Sequence, residues 1–166
     1  MRATLSPLLT LLFCAVANAL VMRTRVPGPR ASVHASACSS EPDPITQLPG
    51  DPSLILTTNV ELEDKAGFVK SASAAVAVAL SKPESYVAVS VTTNADGMSF
   101  GGTTDPTALG CVYSIGAINQ ENNAALTAAV SELLEKHGGV PNDRIYINFF
   151  DVPRANCGWS GRTFAG

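Results

Sequence analysis

Pro52 opens the stretch Pro52-Ser53-Leu54-Ile55-Leu56-Thr57-Thr58-Asn59-Val60, where a proline precedes an apolar, β-favouring run that ends in polar residues. Its chemistry turns on one bond. Inside the chain the ring nitrogen is an amide without a basic lone pair. Cut after Asp51, the same nitrogen becomes a secondary amine that can act as a base. An ordinary α-amine titrates at about 7.7–8.0, and apolar burial or a nearby cation lowers that value. A proline here is equally an ordinary strand start, where its missing N–H is tolerated. Lys82, next to Pro83, reads as a solvated lysine at a helix end, where the dipole favours a cation. Asn148 stands inside an otherwise apolar strand, and a buried amide there needs a hydrogen-bond partner. Tyr86, Tyr146, Trp159 and Phe164 suit either an aromatic ligand pocket or plain core and interface packing. Cys111 and Cys157 form no CxxC and have no His at metal spacing. They read as buried free thiols, with a disulfide as the alternative.

The 166 residues are enough for one domain of ordinary size. A net charge of −3, with 15% charged and 46% hydrophobic residues, is a soluble globular composition, neither disordered nor nucleic-acid-binding. There is no basic patch and no phosphate-cradling glycine motif.

The first 51 residues differ from the rest. Arg2 precedes the apolar stretch Leu8–Ala17, which ends at the small-x-small site Ala17-Asn18-Ala19. The apolar stretch is too short to span a bilayer, so residues 1–19 read as a cleaved signal peptide rather than a membrane anchor. Residues 20–51 hold Arg23, Arg25 and Arg30, a Ser/Ala cluster and five prolines, with no acidic residue before Glu41. This composition matches an organellar transit segment, giving a two-part leader for a plastid, or else a disordered propeptide of a secreted protein. The remaining domain, residues 52–166, carries seven basic and eleven acidic side chains, a net −4 that argues against polyanionic partners.

The elements that must position these residues follow in order. Leu54–Leu56 predicts a buried strand. Leu62, Ala66, Val69, Ala72, Val76 and Leu80 recur at helical spacing, and Lys82-Pro83 ends that helix. Tyr86–Thr92 predicts a second strand. The plan then repeats: a strand over Cys111–Ile115, and a helix capped by Asn119 with Leu126, Val130, Leu133 and Leu134 on its stripe. Gly138 is expected in the left-handed closing conformation, and a strong strand follows over Ile145–Phe150. Two consecutive βαβ units make an α/β fold (α+β by some schemes), with a four-stranded mixed sheet and two helices on one face. The strands are apolar on both alternations, which predicts that another subunit covers the second face.

Asp143-Arg144-Ile145-Tyr146-Ile147-Asn148-Phe149-Phe150-Asp151, then Ala155-Asn156-Cys157-Gly158-Trp159 and Thr163-Phe164-Ala165, resembles the macrophage migration inhibitory factor and D-dopachrome tautomerase family. Pro52–Val60, Lys82-Pro83, Tyr86–Val89, Phe100-Gly101-Gly102 and Ser114-Ile115-Gly116 extend the likeness from Pro52 to the end of the chain. The resemblance implies a homotrimer with active sites between subunits. It also implies a cofactor-free keto–enol tautomerase acting on phenylpyruvate-type or dopachrome-type substrates. On this basis Pro52 is the catalytic base and Lys82 binds the substrate carboxylate. Ser114 and Ile115 supply backbone and wall contacts, and Asn148 reaches in from the neighbouring subunit. Tyr86, Tyr146, Trp159 and Phe164 line an aromatic pocket.

Four departures stand out. Asp51, rather than an initiator methionine, precedes Pro52. Thr107-Ala108-Leu109-Gly110 replaces the family cytokine's CxxC, Ala117 replaces a basic residue, and Ser53 replaces a larger apolar one. The expectation is a secreted tautomerase with no membrane attachment in its mature form. The alternatives are a secreted cytokine or binding protein of the same fold that acts on a receptor with little catalysis, and a plastid-resident member with a blocked proline.

Overall fold

The computed structural model describes residues 48–166. The expected signal peptide and all but the last four residues of the expected leader lie outside the described residues.

The first strand, β1, runs over Pro52–Thr58 with alternating burial. Leu54, Leu56 and Thr58 point into the core, while Ile55 is half exposed. Helix α1 spans Lys65–Ala79. The Asp64 carboxylate accepts from the Gly67 N–H at 2.9 Å and fixes where the helix begins. Phe68, Ala72 and Val76 are buried on the face that packs against the sheet, whereas the expected Ala66 is exposed. Leu62 is buried as expected, but in the approach to the helix.

Tyr86 does not begin the second strand. It closes a 3-10 turn over Glu84–Tyr86, and β2 covers Ala88–Thr92. Strand β3 runs over Ala108–Ser114 and starts earlier than its β-branched residues suggested. Gly110 belongs to it because a Cβ there would lie 2.7 Å from Leu56 Cδ2. Helix α2 spans Gln120–Gly138, and the Asn119 side chain accepts from the Asn122 N–H at 2.9 Å. Gly139, not Gly138, takes the left-handed closing position with φ 64°. Strand β4 covers Ile145–Asp151. A hairpin of β5 (Gly158–Trp159) and β6 (Arg162–Thr163) ends the chain.

The main sheet has the order β2-β1-β3-β4. β1 and β2 are parallel, β3 and β4 are parallel, and the central pair β1/β3 is antiparallel. This is the expected mixed sheet built from two βαβ units. Both helices cover one face: Leu54, Leu56 and Val112 pack with Phe68, Ala72 and Val76 of α1 and Leu126, Val130 and Leu134 of α2. The opposite face is open. Ile55, Leu109, Tyr146 and Phe150 are 48%, 47%, 63% and 45% exposed on it. Among the described residues no helix is long and apolar enough to cross a membrane.

Candidate active site

The pairing directions bring the starts of β1 and β2 together with the ends of β3 and β4. Lys82–Val87 leads into that end, while Ile115–Ala117 and Val152–Gly166 lead out of it. Pro52, buried, is in register with Ser114. Ser114 is in register with Asp151, and its carbonyl accepts from the Val152 N–H at 2.9 Å. The backbone N–H of Ile115 reaches the Asp51 carbonyl at 3.4 Å, beside the Pro52 nitrogen. Ser114 Oγ is buried with no hydrogen-bond partner among the described residues.

Lys82 comes from the α1–β2 connection. Its Nζ donates to the Ile115 carbonyl at 2.9 Å and to the Pro49 carbonyl. Burial, then the Arg154 guanidinium, pull its pKa below the ordinary 10.5, and Asp151 partly opposes them. Ile115 therefore links the lysine to the residue before Pro52: its carbonyl holds the ammonium and its N–H faces the Asp51–Pro52 bond. Aromatic residues close this end. Tyr86 and Trp159 have ring centroids 6.1 Å apart, and Trp159 stacks on Phe164 at 5.8 Å. Phe164 is fully buried and packs with Ile115, Leu48, Val152 and Cys157.

Seven of the residues singled out from the sequence thus gather at one end: Pro52, Lys82, Tyr86, Ser114, Ile115, Trp159 and Phe164. Tyr146 and Asn148 do not join them within one chain. Tyr146 is in register, through Leu109, with Thr57, roughly 17 Å along β1 from Pro52. Its ring packs on Phe100 at 4.8 Å. Asn148 is in register, through Cys111, with Ile55, roughly 10 Å along and roughly 10 Å across the sheet from Pro52. Position 148 falls on the open face and is exposed in the single chain.

One residue of this end, Arg154, carried no sequence signal. Arg154 donates through Nη2 to the Leu48 carbonyl at 2.6 Å, and its Nη1 is buried with no partner among the described residues. It is a second cation beside Lys82. Asp51 accepts from Ser53 Oγ at 3.1 Å and from the Cys157 thiol. Burial, then that carboxylate, push the Cys157 thiol up to about 11. Cys111 and Cys157 are free, as expected, but only partly buried. On the open-face side, Asp51, Ser53, Ile55, Tyr113, Val152, Asn156 and Cys157 line a cavity of 230 Å³. A larger hollow of 540 Å³ runs along the outside of α2, past Thr127, Ser131 and Glu135, away from all of these groups.

The model of the family described as "Macrophage migration inhibitory factor (MIF)" matches residues 51–165. A macrophage migration inhibitory factor homolog of Trichinella spiralis is 41% identical over 114 residues, covering 68% of this chain and 99% of that protein. The factor of Rattus norvegicus is 38% identical over 115 residues, covering 69% and 99%. Among solved structures, the Trichinella spiralis factor superposes with a TM-score of 0.61 at 39% identity, over 67% of this chain and 98% of that one. That of Toxoplasma gondii gives 0.64 at 36% identity, over 67% and 98%. The chain belongs to the macrophage migration inhibitory factor family.

Proposed function

We propose that the chain, once Pro52 is its first residue, is a keto–enol tautomerase for aromatic keto acids of the phenylpyruvate or dopachrome type. The reaction moves a proton from the carbon beside a carbonyl to the carbonyl oxygen. It needs a base that is neutral near pH 7 and donors for the developing oxyanion. The freed imino nitrogen of Pro52 takes the carbon-bound proton. Its burial and the neighbouring cations Lys82 and Arg154 both favour its neutral form. The Lys82 ammonium, with Arg154 beside it, holds the substrate carboxylate. The Ile115 N–H, released from the Asp51 carbonyl, donates to a substrate oxygen. The substrate ring lies against Trp159 and Tyr86, over the packed Ile115 and Phe164.

Asn148 and Tyr146 enter from the partner subunit of a homotrimer, because each stands too far from Pro52 in its own chain to meet the same small molecule. The exposed apolar face formed by Ile55, Leu109, Tyr146 and Phe150 is the surface that such an assembly covers. The leader, residues 1–51, carries the chain into the secretory system and is removed.

The observation that carries this reading is the meeting of Pro52, Lys82 and Ile115 at one end of the sheet, in a chain of this family. Enol formation from phenylpyruvate, followed by ultraviolet absorbance, tests it. A chain beginning at Pro52 turns over, and Pro52→Gly lowers kcat at least about 100-fold, the loss expected on removing a general base. No turnover by the chain that begins at Pro52, or equal turnover by the glycine variant, overturns it.

A further inference from the structure

Four residues upstream of Pro52 are ordered against the candidate site, and each has a specific partner there. The Leu48 carbonyl accepts from Arg154 Nη2 at 2.6 Å, and its side chain packs with Ile115 and Phe164. The Pro49 carbonyl accepts from Lys82 Nζ. Gly50 is buried with φ +86°, and a Cβ there would lie 2.7 Å from Ile115 Cβ. The Asp51 carbonyl takes the Ile115 N–H, and its carboxylate takes the Cys157 thiol.

We propose that Leu48–Asp51 is a built-in plug of the active site, a segment that occupies the substrate's own contacts until the chain is cut before Pro52. This rests on the tautomerase reading above. The polar groups assigned there to the substrate are engaged by the segment: Lys82 and Arg154 Nη2 by two carbonyl oxygens that stand in for the substrate's oxygen atoms, the Ile115 N–H by a third, while Leu48 covers Ile115 and Phe164. One cut before Pro52 therefore does two things: it turns an amide into a base, and it unties the segment covering the anion site. The uncut chain is silent twice over, in chemistry and in binding.

Gly50 is where the plug is most exposed to a test. A side chain there meets both the left-handed φ and Ile115, so Gly50→Val strains the segment and drives it off its seat. Leu48→Ser removes its apolar seat by another route, without placing a carboxylate beside Lys82 and Arg154. Phenylpyruvate binding to the uncut chain, measured by titration calorimetry, separates binding from catalysis, because the Pro52 nitrogen remains an amide. Both variants bind phenylpyruvate at least about tenfold tighter than the unaltered uncut chain, and neither turns it over. If both bind no better than the unaltered chain while the chain beginning at Pro52 binds tightly, the plug is refuted and the tautomerase site stands. If the variants gain affinity but the chain beginning at Pro52 does not turn over, the plug stands and the proposed base falls. If even that chain binds no phenylpyruvate, the site assignment fails, and the plug with it.

Discussion

Replacing Lys82 by methionine, in a chain whose first residue is Pro52, removes a charge and keeps most of the side chain's length. In that chain the Pro49 carbonyl has left with the upstream segment, and Lys82 Nζ keeps one hydrogen bond, to the Ile115 carbonyl at 2.9 Å. Its remaining N–H groups are free to meet a carboxylate. A hydrogen bond to a charged group contributes about 1.5–3 kcal/mol. Lys82 is only partly buried, so solvent screening puts the loss at the low end, about 1.5 kcal/mol or roughly tenfold in kcat/KM. The carboxylate is held alike in the ground and transition states, so most of the loss falls on KM. A second effect is separable. A cation near Pro52 depresses the amine's pKa, so without Lys82 the acid limb of the pH–rate profile moves to higher pH. Phenylpyruvate enolisation measured across pH reads both quantities at once. Lys82→Arg, which keeps the charge, restores part of KM and returns the acid limb toward its original position. A Lys82→Met variant with KM within twofold of the parent and an unmoved acid limb refutes the assignment of Lys82 as the carboxylate anchor.

Other consequences follow from the same geometry. With its thiol pushed up to about 11, Cys157 in the uncut chain reacts slowly with iodoacetamide at pH 8, and its rate keeps climbing as pH rises beyond 9. Removing Asp51 takes away the second and third causes of that shift, so alkylation at pH 8 is faster in the chain that begins at Pro52; equal rates contradict the Asp51–Cys157 contact. The raised value also has a stability sign: the folded chain holds this proton more tightly, so the contribution is present below pH 9 and is lost as pH rises through about 11. Ile55→Asp puts a carboxylate on the open face, where it changes the single chain's stability by no more than about 0.5 kcal/mol. It yields monomers in sedimentation analysis and lowers turnover at least tenfold, and an intact, fully active oligomer shows that this face is not the interface. Gly110→Val drives a side chain against Leu56 Cδ2 and Ile147 Cγ1 and costs roughly 1–3 kcal/mol in urea unfolding. An unchanged midpoint means that β3 has slack the packing does not show.

The strands and helices with strong local signals were legible in the sequence. Ile145–Phe150 is apolar and β-branched, Asn119 caps α2, and Pro52 marks the start of β1. What escaped depended on partners distant in sequence. Ala108 and Gly110 have poor strand propensity and are strand residues because β1 and β4 pair with them on both sides; at Gly110, Leu56 occupies the space a larger side chain would need. The burial phase of α1 follows from which of its apolar residues pack on the sheet, Phe68, Ala72 and Val76, a choice its dense alanines leave open in the sequence. The β5–β6 hairpin rests on two successive positive φ values, 53° at Ser160 and 80° at Gly161, in a segment without a hydrophobic pattern. At the site, Pro52, Lys82, Ser114 and Ile115 could be named because the family resemblance marked them. Arg154 could not, since it sits between the matching stretches that end at Asp151 and resume at Ala155. The meeting of Leu48 with Arg154, 106 residues apart, is a product of the fold and has no local trace. Asn148 drew attention as a polar residue in an apolar strand, and its exposure followed only from knowing which alternation faces the helices.

The central claim is that the Pro52 nitrogen, once freed, is a neutral base near pH 7. The direct measurement is its ionisation, followed by nitrogen-15 resonance in a proline-labelled chain that begins at Pro52. The account predicts a midpoint below the ordinary α-amine value of about 7.7–8.0, coinciding with the acid limb of kcat/KM for phenylpyruvate. A midpoint at or above that ordinary value, or a rate that does not follow it, contradicts the account.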